Sequence, residues 1–221
     1  MPQSDIAEPF DSGRLRESAT KDIILNAAGQ VFAEKGFAEA TSKEICSRAG
    51  VNAAAVNYYF GGKDALYKEV LRKAHDQILS MQWLSAAAAD EKVPPEEKLR
   101  DLIRTVNRTT LRSQDSWGIR IFFREIISPS NFLVEKLLED ILPKRVSVRR
   151  IIAEITHLPE GSRDLEWATS MAALSMFGLV LFPKMFLGAV LPDARRHPEE
   201  LVDMMHTYIL AGLAAVSKKK A

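Results

Sequence analysis

The chain has 221 residues, and its 30 basic side chains nearly balance its 29 acidic ones, which leaves a net charge of +1. This balance excludes the simple argument that a strongly basic surface indicates a nucleic acid or an anionic membrane as partner. The single cysteine, Cys46, excludes an internal disulfide framework and a zinc site of several cysteines, so we expect a soluble protein in a reducing cytoplasm.

The charge is unevenly distributed along the chain. Residues 1–13 carry three acidic side chains and no basic one, and this short polar segment is predicted to be a disordered leader. Residues 14–63 carry seven basic and five acidic side chains. A polyanion would therefore have to be bound by charge that is placed locally rather than by the net charge of the chain.

Helix signals begin near Thr20, which is predicted to be an N-cap, and the apolar stripe that follows ends at Gly36 as a left-handed stop. The segment Thr41-Ser42-Lys43-Glu44 is a capping box that predicts the start of a short second helix. Gly50 is predicted to end that helix.

A third short helix is predicted from Ala53 to about Phe60, and Gly61-Gly62 separates it from a long helix that runs from Lys63 to about Ala89. No segment has a confident strand pattern, so the fold class is all-α. The remaining predicted helices span residues 95–112, 117–127, 131–156 with a break at Pro143, 164–191 and 198–217.

Two short helices joined by a glycine-containing turn, behind a preceding helix, form a helix-turn-helix motif. The second helix of such a motif enters the major groove, so its outward residues must be small or polar. Ala53, Ala54 and Asn57 meet this requirement, since asparagine can pair with adenine and alanine can contact the methyl group of thymine. The residues predicted to anchor phosphates are Thr41, Tyr58, Tyr59 and Lys63. Ser42 and Lys43 are also predicted to contact DNA.

Residues 20–67 resemble the DNA-binding domain of the TetR family of transcriptional repressors. The segments that carry the resemblance are Gly36-Phe37, Thr41, Glu44-Ile45, Ala49-Gly50-Val51, Asn57-Tyr58-Tyr59-Phe60, Lys63 and Leu66-Tyr67, with Ala28 and Phe32 upstream. Many members of the family carry tyrosine where this chain has Asn57, a position expected to touch bases, so the resemblance does not define the operator sequence. Phe123-Arg124-Glu125 and Ser128-Pro129-Ser130 are similar to the CecR-type branch.

The resemblance implies a helix-turn-helix DNA-binding domain at 14–66 and a helical ligand-binding and dimerisation domain at 67–221. It implies a homodimer that binds a palindromic operator on double-stranded DNA and is released when a small-molecule effector spreads the two DNA-binding domains. No catalytic residues, metal ligands, cofactor or membrane association are expected. Two other functions stay open: a helical interaction protein whose DNA-binding domain is vestigial, and a helical enzyme that acts on an anionic substrate.

A ligand pocket in the second domain is predicted around cations beside aromatic residues, because a cation can orient an otherwise apolar ligand. Alternatively, the aromatic and methionine residues form the core, and Arg124 pairs with Glu125 as a structural ion pair. The predicted pocket residues are Trp117, Arg120, Phe123, Arg124, Trp167 and Met171.

Two further patterns concern the surfaces of the second domain. Arg100, Arg104, Arg108 and Arg112 recur every four residues. This spacing predicts a solvated face with acidic partners on neighbouring helices, a site for an anionic ligand, or a charge contact between the two domains. Small residues recur on the last two long helices and predict close packing of four helices in a dimer: Ala168, Ala172, Ser175 and Gly178 on one, Ala211, Gly212 and Ala215 on the other.

Overall fold

The computed structural model describes residues 12–112, 116–132, 135, 137–181 and 188–218, and within these ranges it contains helices and no strands, which confirms the all-α prediction. The chain divides between Val70 and Leu71 into two compact units. The α-helices are α1 (Ser12–Glu39), α2 (Ser42–Ala49), α3 (Ala55–Phe60), α4 (Lys63–Ile78), α5 (Met81–Ala89), α6 (Pro95–Arg112), α7 (Trp117–Ile127), α8 (Leu142–Thr156), α9 (Arg163–Phe177) and α10 (Pro198–Lys218).

The start of α1 differs from the prediction. Residues 1–11 of the predicted leader lie outside the described residues, and Ser12 and Gly13 already belong to α1. Thr20 is therefore not an N-cap, because its hydroxyl donates to the carbonyl of Arg16 at 2.9 Å inside the helix. Gly36 interrupts α1 with φ 80° and ψ 172°, an extended glycine conformation rather than the predicted left-handed stop.

The first unit is built around the apolar stripe of α1. Phe32 is fully buried, and its ring meets the ring of Tyr67 edge to face at 4.7 Å. Phe37 completes this aromatic cluster at 5.0 Å from Tyr67. Ile45 of α2 and Val56 of α3 are also fully buried. The short helices α2 and α3 are therefore held by one core, which fixes the outward face of each.

Two predicted long helices are interrupted in the second unit. The predicted helix from 63 to 89 is α4 and α5, because the Ser80 hydroxyl accepts from the amide of Trp83 at 3.4 Å and starts a new helix. The predicted helix from 164 to 191 ends its α-helical part at Phe177 and continues as a 3₁₀ turn over Gly178–Leu181. Residues 182–187 of that prediction lie outside the described residues.

The core of the second unit lies among α5, α6, α8, α9 and α10. Pro143 lies in the first turn of α8, directly after a π-helical turn over Leu137–Ile141, so the predicted break is the boundary between these two elements. Within the described residues, every helix is too short or too polar to cross a lipid bilayer.

Candidate nucleic-acid interface and effector cavity

Local capping defines both ends of α2. The Thr41 hydroxyl accepts from the amide of Glu44 at 3.2 Å, which confirms the first half of the predicted capping box. The carboxylate of Glu44 pairs with Lys35 of α1 at 2.9 Å. Gly50 ends the helix in the left-handed conformation with φ 66°, and its amide donates to the carbonyls of Cys46 and Ser47.

The turn between α2 and α3 sets the true start of α3. The Asn52 side-chain oxygen accepts from the amide of Ala54 at 2.9 Å, which forms a turn before the helix. The Cys46 thiol lies 3.6 Å from the carbonyl of Ala53 and anchors the same turn. Helix α3 begins at Ala55, so the predicted start at Ala53 is two residues early, and Ala53 and Ala54 are exposed in the turn.

The exposed face of α3 is polar and aromatic. Asn57 is exposed, and Tyr58 is 79% exposed, the most exposed of the large side chains on this helix. Tyr59 is half-buried and its ring meets that of Tyr58 edge to face at 4.8 Å. A short helix with a buried inner face and these side chains outward has the dimensions and chemistry of a helix that enters a major groove.

Lys63 is held by the first unit itself. Its ammonium donates to the carbonyls of Phe37 and Ala40, both at 3.0 Å. It also lies 4.3 Å from the centre of the Phe37 ring. Two of its three N–H bonds are thus used to fix the end of α1 and the following Ala40 against the start of α4. The sequence predicted this residue as a phosphate contact and did not reveal this role.

The start of α2 forms an open, polar surface. Thr41 and Lys43 are exposed there, and Ser42 is half-buried. Arg48 also borders this surface, but its guanidinium pairs with Glu34 of α1 at 2.8 Å, a hydrogen bond that raises the pKa of Arg48. Lys43 therefore supplies a cation beside the hydroxyl and amides at the positive end of α2, an arrangement suited to a phosphate.

The second unit contains an apolar cavity of about 230 Å³. Its walls come from α4, α7, the π-helical turn, α8 and α9. Three of the lining residues are polar or charged and buried, namely Thr169, His75 and Lys144. The lining residues are His75, Ile78, Leu79, Phe122, Ile141, Lys144, Arg145, Val148, Thr169, Ala173 and Phe177.

The structure does not bring the six predicted pocket residues together around this cavity. Phe122 lines it rather than Phe123, because adjacent residues on α7 face different directions. Trp167 and Met171 lie on an exposed face of α9, at 62% and 59% exposure. The other predicted residues are Trp117, Phe123 and Arg124, all half-buried, and Arg120, which is exposed.

Two arginines of the stripe on α6 form ion pairs with acidic residues of α10. Arg100 pairs with Asp203 of α10, and Arg104 pairs with Glu199 of α10 at 3.0 Å. The prediction of acidic partners on a neighbouring helix is therefore confirmed for these two arginines. The side chain of Arg112 lies outside the described residues. Among the described residues, no three histidine, cysteine or acidic side chains cluster in a way that could hold a metal ion.

An apolar surface covers the outward sides of α9 and α10, and we call it the α9–α10 face. Its large exposed side chains include Leu174, at 62% exposure, Met204 and Tyr208. The predicted small residues Ala211 and Gly212 are exposed between them. In contrast, Ala168 and Ala172 are buried within the unit. The α9–α10 face thus has the large apolar and small residues of a surface that another helix pair can cover.

Comparisons with known proteins agree with this geometry. Residues 24–70 match the family described as bacterial regulatory proteins, tetR family, and residues 95–216 match the C-terminal domain of the HTH-type transcriptional dual regulator CecR. The second match alone covers more than half of the chain. The first matched segment contains the helix-turn-helix, and the second contains the walls of the cavity other than those from α4.

Individual relatives are transcriptional regulators. The chain is 26% identical over 151 residues to the "Probable HTH-type transcriptional regulator YttP" of Bacillus subtilis (strain 168), across 68% of this chain and 69% of that protein. It is 31% identical over 124 residues to the HTH-type transcriptional regulator RutR of Escherichia coli (strain K12), which is 56% of each protein.

A solved structure gives the same result for the fold. The crystal structure of HlyIIR, a hemolysin II transcriptional regulator, superimposes with a TM-score of 0.56 at 27% identity and covers 87% of this chain and 97% of that one. The chain belongs to the TetR family of bacterial transcriptional regulators and carries a CecR-type C-terminal domain.

Proposed function

We propose that the chain is a repressor that binds a palindromic operator as a homodimer and leaves it when a small molecule occupies the cavity of the second unit. The observation that carries the proposal is the exposed face of α3, where Asn57 and Tyr58 project from a helix that is otherwise held by the core of the first unit. No catalytic role is assigned to any residue.

Base readout is assigned to the turn and the first part of α3. Asn57 offers the amide that pairs with an adenine edge, and Ala53 and Ala54 offer methyl groups to thymine. All three are exposed. Because Ala53 and Ala54 precede the helix, they would approach the groove from the turn, while Asn57 would approach from the helix itself. Readout is therefore expected to cover adjacent base pairs of each half-site.

Phosphate contacts are assigned to the edges of this surface. Thr41, Ser42 and Lys43 lie at the positive end of α2, and the hydroxyl groups of Tyr58 and Tyr59 can donate to phosphate oxygens. Lys63 is assigned a positioning role, since it already donates to two carbonyls. These contacts would set the register of the protein on the duplex without carrying sequence information.

Dimerisation is assigned to the α9–α10 face. Solvent exposure of Leu174, Met204 and Tyr208 on one surface is costly, and a second copy related by a two-fold axis would cover it with the same residues. A symmetric dimer would present two α3 helices to the two halves of a palindrome.

The DNA-binding proposal is tested by selecting duplexes from a random pool with the full chain, then measuring binding by fluorescence anisotropy. We expect enrichment of an inverted repeat, and we expect a single half-site to bind much more weakly than the full site. Enriched sequences without two-fold symmetry would refute the palindromic readout. Failure to enrich any sequence would refute the function itself.

The dimer proposal is tested by light scattering at micromolar concentration. Leu174→Glu should produce monomers, because it places a charge inside the proposed interface. Leu15→Glu is the matched control, since Leu15 is 60% exposed on α1, outside the α9–α10 face. Equal masses for Leu174→Glu and the wild type, both dimeric, would show that the dimer uses another surface.

Effector release requires only modest coupling. A difference of about 1–3 kcal/mol between the effector affinities of the free and the DNA-bound protein lowers operator affinity roughly 5- to 150-fold. The effect is measured as the change in anisotropy midpoint when the effector is added at saturation.

A further inference from the structure

The cavity of the second unit has a mostly apolar wall. Seven of the eleven described residues that line it have hydrocarbon side chains, so its chemistry depends on what the other four can offer a ligand. Phe122 and Phe177 place aromatic rings on the walls that come from α7 and α9. The four polar or charged side chains are those of His75, Lys144, Arg145 and Thr169.

The two cations in the wall are already engaged by side chains that do not line the cavity. Lys144 is 8% exposed, and its ammonium donates to the carboxylate of Asp76 at 2.8 Å. Arg145 donates to Glu166 at 2.6 Å and to the hydroxyl of Ser170 at 3.3 Å. A carboxylate on the ligand would have to compete with these partners while it loses its own hydration. The wall therefore disfavours an anionic ligand.

Thr169 and His75 also turn hydrogen-bonding atoms away from the cavity. Thr169 has no exposed surface, and its hydroxyl donates to the carbonyl of Leu165 at 2.8 Å. Nδ1 of His75 is fully buried and lies 3.7 Å from Oδ2 of Asp140, so this atom does not face the cavity. Burial lowers the pKa of His75, although Asp140 partly opposes this shift, and the imidazole is therefore neutral near pH 7.

A cationic ligand is disfavoured as well. Among the described residues, no acidic side chain lines the cavity, so an ammonium group on the ligand would find no counter-ion in the wall. It would instead lie near the positive charges of Lys144 and Arg145. Because charge of either sign is disfavoured, the ligand that loses least on leaving water is uncharged and apolar.

The size of the cavity bounds the ligand. An apolar cavity of about 150 Å³ is known to hold benzene, so the 230 Å³ here corresponds to about nine non-hydrogen atoms. A single benzene ring that carries a few methyl groups has this size. The rings of Phe122 and Phe177 in the wall are suited to pack against such a ring.

We propose that the cavity binds a small uncharged hydrocarbon of the alkylbenzene class, which is held by apolar contacts and forms no hydrogen bond with the wall. This assignment rests on the proposed function, in which the second unit holds the effector. It names the chemical class of that effector. A hydroxyl group or a charge on the ligand is then expected to weaken binding.

The test is isothermal titration calorimetry on the full chain with four probes: para-xylene, para-cresol, benzoate and benzylammonium. The first two have the same number of non-hydrogen atoms and differ only in methyl against hydroxyl. We expect para-xylene to bind about ten-fold more tightly than para-cresol, because the hydroxyl loses its hydration without gaining a partner. We expect no binding of the two ions. Para-cresol or either ion binding as tightly as para-xylene, or no binding of any probe, would overturn the proposal.

A substitution that fills the cavity locates the binding. Ala173 of α9 lines the cavity, so Ala173→Leu should weaken the binding of para-xylene at least ten-fold. Ala86→Leu is the matched control, since Ala86 is exposed on α5 and does not line the cavity, and it should leave the affinity unchanged. If Ala173→Leu does not fold, Ala173→Val fills less of the cavity and should still weaken binding about three-fold. Unchanged affinity in a folded Ala173 variant would overturn the proposal.

A second substitution tests whether the polar atoms of the wall are silent. Thr169→Val keeps the shape of the side chain and removes a hydroxyl that donates to the Leu165 carbonyl. The preference for para-xylene over para-cresol should therefore stay within about two-fold of its wild-type value. A larger change would show that this hydroxyl serves the ligand and would overturn the proposal.

Operator binding is measured on the same samples to separate this inference from the proposed function. Intact operator binding with no preference for para-xylene would mean that the ligand class is wrong and the regulator assignment stands. A preference that Ala173→Leu abolishes, with no effect of para-xylene on operator affinity, would mean that the cavity is assigned correctly and that effector release is wrong.

Discussion

Lys63→Met tests how the first unit keeps its DNA-binding surface in place. The substitution retains most of the aliphatic side chain and removes two charged hydrogen bonds, to the carbonyls of Phe37 and Ala40, and one contact with the Phe37 ring. Charged hydrogen bonds contribute about 1.5–3 kcal/mol each, and an exposed cation–π contact about 0.5–1 kcal/mol. Because Lys63 is only partly buried, water can replace part of the stabilisation that these hydrogen bonds and the ring contact provide. We expect the free energy of unfolding to fall by about 2–3 kcal/mol.

The assay combines thermal unfolding with operator affinity as a function of salt. A loss of 2–3 kcal/mol lowers Tm by about 5–10 °C in a chain of this length. If Lys63 only positions the unit, operator affinity falls while its salt dependence stays the same. Lys43→Met is the matched control, since Lys43 is exposed and proposed to contact phosphate. It should reduce the salt slope by about 2, one for each protomer of the dimer, without changing Tm. A reduced salt slope and an unchanged Tm for Lys63→Met would refute the reasoning.

Three further predictions concern the second unit. Glu154→Ala should destabilise the protein by about 3 kcal/mol and Lys98→Met by less. Only Glu154→Ala leaves the Lys98 ammonium, which is 4% exposed and lies 2.8 Å from Glu154, buried without an anionic partner and with one hydrogen bond to the Ala88 carbonyl. The opposite order in chemical denaturation would contradict this. Gly118→Ala should cost about 1 kcal/mol in the same experiment, since an added Cβ would overlap the side-chain amide of Gln77 in α4, whose oxygen is buried and must shift. Gly178→Ala has open space around the added Cβ and should not destabilise the protein. The hydrogen bond from Arg145 lowers the pKa of Glu166, so the stability that this carboxylate contributes is present above its ordinary pKa of 4.5 and is lost as the pH falls further. A Glu166→Gln protein should therefore lose less stability than the wild type between pH 5 and pH 3. Identical dependence of stability on pH in the two proteins would exclude the effect.

The helix-turn-helix surface was predictable because its determinants are local in sequence. Thr41 caps α2 and Gly50 ends it, and both act within a few residues of their own position. The start of α3 was predicted two residues too early, and the cause of this error is also a local interaction. Alanine favours helix, but the Asn52 side chain holds the amide of Ala54 in a turn and delays the helix to Ala55.

The cavity was not predictable because its wall is assembled from five elements. His75 and Phe122 are 47 positions apart in the sequence, and nothing in either segment indicates that the two rings meet. Aromatic and methionine residues of α9 suggested a pocket by composition, yet Trp167 and Met171 face outward, since helical spacing gives the period of a stripe and not the direction it faces. Lys63 shows the same limit, because its two carbonyl partners lie more than 20 residues earlier.

The most direct test of the account is the affinity of the wild type and of Asn57→Ala for every single-base variant of the selected operator. If α3 reads bases through Asn57, this substitution removes about 1–3 kcal/mol of discrimination at one symmetric pair of positions and leaves the preference elsewhere intact. Lys43→Met should weaken binding to all variants equally. An unchanged base preference in Asn57→Ala would contradict the assignment of α3 as the helix that reads the operator.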